Sequence, residues 1–153
     1  MKNYYRIILG RKHKNFDEAR QGNFVGHSFL EKVDFSNELM DYGEFRKKFM
    51  PVYLELEPHK TKIAASLACG MIYRFLSSLQ IGDVVFCPDG KGNYHVGEIS
   101  SNYQYNKESD LPHRREVTWN AKIVPKTEMS KSMQNSAGSI STLINITKYA
   151  NEI

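Results

Sequence analysis

Alternation of apolar and polar positions is most regular between Ile81 and Ile99. Val84-Val-Phe86 is a short β-branched and aromatic run, and Gly82-Asp83 before it is a turn signal. Pro88, Asp89, Gly90 and Gly92 then break the run with residues suited to tight turns. From Tyr94 the alternation resumes, with Tyr94, Val96 and Glu98 on one face and His95, Gly97 and Ile99 on the other. The pattern predicts a β-hairpin around which the chain is organised.

Tyr4 to Leu9 predicts a first strand, ended by Gly10. Arg11-Lys-His-Lys-Asn15 is a basic loop, and Phe16 to Gln21 fits one or two helical turns. Gly22 to Gly26 holds an apolar insertion that reads as a bend or strand. Phe29-Leu30 and Val33 to Phe35 predict another extended piece. From Glu38 the spacing becomes helical, with Tyr42, Phe45, Phe49 and Val52 on one stripe and Pro51 and Pro58 interrupting or bounding it. The clearest helix is Thr61 to Leu79. Thr61 is its N-cap, Ile63, Leu67, Met71, Phe75 and Leu79 form its stripe, and Ala64, Ala65 and Ala68 form a small face suited to close packing on a sheet.

Beyond the hairpin, Tyr103 and Tyr105 share one side of an extended piece. Asn106 to Pro112 is a polar loop. His113 leads into a strand that runs to about Val124. Glu128 to Gln134 fits a short helical turn, and Ser136 to Ser139 a cap-like loop. Ile140 to Ile153 reads as a closing helix, although its β-branched content also fits a strand from Ile140 to Ile146. No internal repeat or low-complexity tract is present.

A length of 153 residues fits a single domain, 1–153, large enough for a real core. The formal charge of +4 permits an anionic partner. Its distribution says more: residues 1–30 carry six basic against two acidic residues, so their net charge equals that of the whole chain. Cys69 and Cys87 have no CxxC neighbour, which points to free, buried thiols in a reducing compartment. No run approaches the length of a membrane span, so a cytoplasmic protein with no membrane partner is expected.

Several chemistries find no support. Asp89-Gly-Lys-Gly92 lacks the phosphate-loop pattern and no helix follows it. Pro88-Asp89 with Glu98-Ile-Ser100 has serine where a metal-dependent nuclease needs lysine. The five histidines show no metal-ligand spacing, and no nucleophile elbow is present. No catalytic residue, metal or cofactor is therefore expected. What remains is aromatic and basic. Tyr103, Tyr105 and Trp119 flank His113, Arg114 and Arg115, and aromatics stack on bases while arginines hold phosphates. Arg11, Lys12, His13 and Lys14 form a second cationic loop. The bland alternative is that the aromatics are ordinary sheet residues and the charges are solvated.

Three segments resemble EVE-type domains of the PUA-like superfamily. Tyr4 to Leu9 is similar to their opening strand. Asn23-Phe-Val-Gly26 falls at their aromatic-Gly pocket segment, with Phe24 where those domains usually carry tryptophan. Gly82-Asp-Val-Val-Phe86 with Tyr94 to Ile99 is similar to their central signature. Longer phrases, Val96 to Ile99, Leu111 to Trp119 and Met129 to Ile146, resemble the N-terminal specificity modules of Mrr- and McrBC-like restriction proteins.

The resemblance implies an α+β fold, a twisted PUA-like β-barrel with surrounding helices, and a non-enzymatic reader of DNA in a restriction or phage-defence system. Such readers, like the YTH and SRA groups, hold a modified, often methylated, base in an aromatic pocket after base flipping. It implies double-stranded DNA as partner, and a nuclease domain or subunit, with this chain as the N-terminal part of a longer protein. Asn23, Phe24, Val25, Ser28, Tyr103, Tyr105 and Trp119 would form the base pocket. Arg11, Lys12, Lys14, Arg20, His113, Arg114 and Arg115 would hold the nucleic-acid backbone. An RNA-binding PUA-like module is the alternative, because nothing in the sequence distinguishes the sugar.

Overall fold

The computed structural model describes residues 1–153. Seven strands form one mixed, strongly curled half-barrel sheet, and four α-helices cover it. The strands are β1 (Tyr4–Ile7), β2 (Phe24–His27), β3 (Val84–Pro88), β4 (Asn93–Ile99), β5 (Gln104–Tyr105), β6 (His113–Pro125) and β7 (Leu143–Asn145). The helices are α1 (Phe16–Gly22), α2 (Tyr42–Leu56), α3 (Lys62–Ser77) and α4 (Lys131–Ala137). The sheet order is β2-β6-β4-β3-β1-β7, with β5 also paired to β6. Only β1 and β3 run parallel. The predicted hairpin, β3 and β4, lies at the centre of this order.

The hairpin buries both of its faces. Val85, Cys87 and Ile99 join the larger core beneath α2 and α3, while Val84, Phe86, Tyr94 and Val96 join a second core with Met129, Met133 and Tyr149. Phe86 and Tyr94 stack at 4.6 Å in the latter. A bulge between His95 and Gly97 bends β4 beside β6. Gly97 is needed there, because a Cβ would run into the Val117 side chain and the Trp119 ring. The turn is closed by Asp89, whose carboxylate accepts the Lys91 N–H at 2.7 Å and pairs with His95 Nε2 at 3.2 Å. Burial alone would raise the Asp89 pKa, but hydrogen bonds from Lys91 and Asn93 and the His95 contact bring it below the usual value.

Tertiary packing overrides local pattern in four places. Helix α3 starts at the expected cap, where Thr61 Oγ1 accepts the Ala64 N–H at 3.1 Å. Its expected stripe holds in the second half, where Met71, Phe75 and Leu79 are buried, and fails in the first, where Ile63 and Leu67 are 75% and 70% exposed and Ala65, Ala68 and Cys69 face inward instead. The small face lets α3 approach its neighbours closely, so packing favours it over the larger side chains. Pro51 lies inside a continuous α2 rather than ending it. In the 29–35 segment Phe29 to Lys32 forms turns, with Leu30 at φ 49°, and Val33 to Phe35 joins no strand. The C-terminal region is not a helix from Ile140. Its β-branched residues form β7, which pairs antiparallel with β1, and Thr147–Glu152 follows as 3-10 turns.

One side chain ties helix to sheet. Arg115 of β6 is buried, and it donates to the carbonyls of Phe75, Leu76 and Leu79 at 2.9–3.1 Å and to that of Ser101 at 3.2 Å. The first three lie at and just beyond the C-terminal end of α3, where no later turn of helix satisfies them, and a cation there also complements the helix dipole. Burial draws the guanidinium down to about 10, so it stays charged at neutral pH. Arg115→Met strands those carbonyls and should lower unfolding free energy by about 3 kcal/mol. Urea denaturation checks this; a loss below about 1 kcal/mol would refute the capping role.

Candidate nucleic-acid interface

The hairpin turn carries the basic loop. Gly90 lies against the His13 ring, and Phe16 packs on His95 with ring centroids 4.6 Å apart. Arg11–His13 forms a 3-10 turn in which Lys12 and His13 hold φ of 55° and 61°. Such left-handed backbone is uncommon for these residue types. It is held by His13 N–H to the Gly10 carbonyl at 3.0 Å and Asn15 N–H to that of Leu9 at 3.0 Å. Gly10 is required, because any Cβ there would collide with the Asn15 carboxamide.

A cleft of about 740 Å³ opens between the two unpaired ends of the sheet. His27, Ser28 and Phe29 line it at the end of β2, and Ile140 and Thr142 line it just before β7. Ile8, Gly10, Arg11, Lys12, His13 and Leu111 complete the lining. No acidic residue lines it, so its charge is of one sign.

Unpaired polar atoms gather here. Six buried side-chain polar atoms have no hydrogen-bond partner, and three of them belong to His13, Asn15 and His27. His13 and His27 line the cleft, and Asn15 packs directly beneath Gly10. Buried polar groups are almost always paired, so such a cluster marks a place where the fold tolerates an unmet demand. The Phe29 N–H donates to His27 Nδ1 at 3.2 Å, which puts the proton on Nε2, the atom left without an acceptor.

His27 sits against Phe75 and His113, each with centroids 4.8 Å away. His113 is itself fixed as a neutral tautomer. Its Nε2–H donates to the Leu30 carbonyl at 2.9 Å, and its Nδ1 accepts the Tyr103 hydroxyl at 2.7 Å. The Tyr103 oxygen in turn accepts the Phe35 N–H at 3.2 Å. Burial, then the nearby His113, holds the His27 pKa well below the ordinary value; burial also lowers that of His113.

The expected site residues separate into groups. Arg11, Lys12 and Ser28 meet in the cleft. Arg20, Asn23 and Trp119 line a different depression with Glu116, where the Arg20 guanidinium lies 5.4 Å from the Trp119 ring centre and the indole N–H reaches the Ala19 carbonyl at 3.3 Å. Lys14 is exposed. The others are structural. Phe24 and Val25 are buried, and the Arg114 guanidinium covers the Phe24 ring at 3.6 Å. Arg114 also donates to the Leu111 carbonyl and the Ser109 hydroxyl. Tyr105 donates to the Glu31 carbonyl at 2.8 Å. The expected backbone contacts by Arg115 and His113 are corrected: both are buried, the terminal guanidinium nitrogens of Arg115 donate to carbonyls inside the fold, and His113 Nε2 donates to that of Leu30. Phe24, Tyr103, Tyr105 and Trp119 therefore form no common aromatic pocket. Sequence reasoning missed His27, Phe29, Ile140 and Thr142. The signal for His27 and Phe29 lay directly after the Phe24-Val-Gly26 segment.

The profile of a family described as "Domain of unknown function (DUF8426)" matches residues 5–147. The chain belongs to this family. No curated protein matches it. The matched span of this DUF8426 domain includes every residue that lines the cleft and all seven strands except Tyr4, the first residue of β1. No helix is long and apolar enough to cross a membrane, and no group of three or more histidine, cysteine or carboxylate side chains is placed to hold a metal ion.

The buried histidines make stability fall in acid. Below the ordinary histidine pKa of about 6.5, the unfolded chain takes up protons that folded His27 and His113 refuse. Stability should therefore be level above that pH and fall below it, by up to about 1.4 kcal/mol per pH unit for each histidine. Urea midpoints between pH 7.5 and 5.5 measure the slope. His27→Gln should make it shallower, and an unchanged slope would contradict the neutral burial of His27.

Proposed function

We propose that this domain is a PUA-like reader of DNA that draws a modified, methylated base out of the duplex and into the cleft beside His27. Arg11, Lys12 and Lys14 hold the adjoining phosphates. Ser28 and Phe29, with His27 behind them, form the base-contacting wall in place of the wider aromatic cage expected from sequence. The domain cleaves nothing. It acts in the cytoplasm and delivers DNA to a nuclease domain or subunit of a restriction or phage-defence system.

The observation that carries this reading is the coincidence of unpaired buried polar atoms with an acid-free cationic cleft. A cleft of this volume suits a small organic group, and cationic walls suit one attached to phosphate. The half-barrel sheet and its central hairpin are consistent with the PUA-like resemblance. The two depressions lined by Trp119 include Glu98 and Glu116 respectively and none of the residues with unpaired atoms.

The test is a fluorescence-anisotropy panel. Its duplexes carry 5-methylcytosine, 5-hydroxymethylcytosine, N6-methyladenine or no modification, with matched RNA alongside. One modified duplex should bind at least about tenfold tighter than the plain one, the low end of discrimination expected of a direct contact. The double variant Arg11→Gln, Lys12→Asn keeps a residue tolerant of left-handed backbone at position 12. It should weaken all duplexes alike and lower the salt slope by about two, one for each lost phosphate contact. Absence of binding to every oligonucleotide would refute the reading. Preference for RNA would replace DNA as the partner.

A further inference from the structure

Ile140 is the most exposed large apolar residue in the chain after Met1, at 97%. It also lines the cleft. Exposure of a single apolar side chain is ordinary in itself, but the backbone around this one is not free. The buried Arg6 guanidinium donates to the carbonyls of Ala137 at 2.8 Å and Ser139 at 2.6 Å, and to that of Ser141. The next residue, Thr142, accepts the Ile8 N–H at 2.9 Å. Carbonyls on both sides of Ile140 are thus tied to β1, and the side chain between them stands in water. The next most exposed aliphatics, Ile63 and Leu67, lie on the surface of α3.

A rigid backbone that presents one apolar side chain beside a cationic cleft suits insertion into a base stack. Proteins that open or kink a duplex do so with apolar wedges, isoleucine among them, which occupy the gap between steps and offset the loss of stacking. A wedge must be held still, or its ordering cost cancels what it contributes. Arg6 provides that stiffness from a charge that is wholly inside the protein.

We propose that Ile140 is the wedge that enters the duplex and fills the space left when a base moves into the cleft. This rests on the reader function, and its test separates the two. Full-length wild-type chain, Ile140→Ala and Ile140→Leu are titrated with the tightest-binding duplex of the four-member panel and with its modified strand alone. The duplex also carries 2-aminopurine beside the target base. Removal of the wedge should weaken duplex binding about tenfold and single-strand binding less than about twofold, because a single strand has little stack to open. Ile140→Ala should abolish the rise in 2-aminopurine fluorescence, and Ile140→Leu should restore both readouts. Since the side chain is in solvent, thermal melts of the variants should match wild type.

Equal duplex affinity of wild type and Ile140→Ala would overturn the wedge while leaving the reader intact. Equal loss on duplex and single strand would also overturn it, making Ile140 part of the cleft wall. A wild-type chain that binds neither probe would remove the reader function and the wedge with it.

Discussion

Two arginines without a carboxylate partner hold this fold. A charge taken out of water must recover its lost hydration through hydrogen bonds. Arg6 and Arg115 do so with backbone carbonyls alone, three for Arg6 and four for Arg115. Each spans two parts of the chain that no strand pairing connects. Arg115 fastens the end of α3 to β6, whose partner strand β2 ends at His27. Arg6 fastens the 137–141 segment to β1. The two sides of the cleft are therefore set by buried cations, while its loop is set by the central hairpin turn.

This arrangement explains why the sheet can stop short of closure. Strands β2 and β7 lie at opposite ends of the order and do not pair. A full barrel would pair those edges and fill the space between them with side chains. Here the space stays open, with three unpaired polar atoms beside it and a cationic loop held in left-handed backbone. Demands of this kind persist in a native fold where surrounding structure over-determines them, and they concentrate at sites of function.

The fold was legible in sequence where local signals and tertiary packing agree. The hairpin from Val84 to Ile99, the strand from His113 and the Thr61 cap all carry turn or capping chemistry that acts within a few residues. Ile63 and Leu67 misled because hydrophobicity alone does not say which face of α3 approaches its neighbours most closely. The closing helix misled because pairing of Leu143 with Ile7 depends on an edge more than a hundred residues away. The site was legible in its loop and at Ser28. Arg11 and Lys12 announce themselves by charge. Arg115, in an equally basic run, is instead a buried helix cap, and periodicity cannot separate the two. The resemblance implies a cage of Phe24, Tyr103 and Trp119, yet all three are committed to the larger core, Phe24 inside it and the other two packed against it.

The central claim is one of location: nucleic acid enters at the seam between β2 and β7. Chemical-shift mapping of the ¹⁵N-labelled chain during titration with a duplex oligonucleotide tests it most directly. The account predicts that perturbed amides cluster at Gly10–His13, His27–Phe29 and Ser139–Thr142. Perturbations centred on Arg20, Asn23 and Trp119, with the seam unchanged, would contradict it.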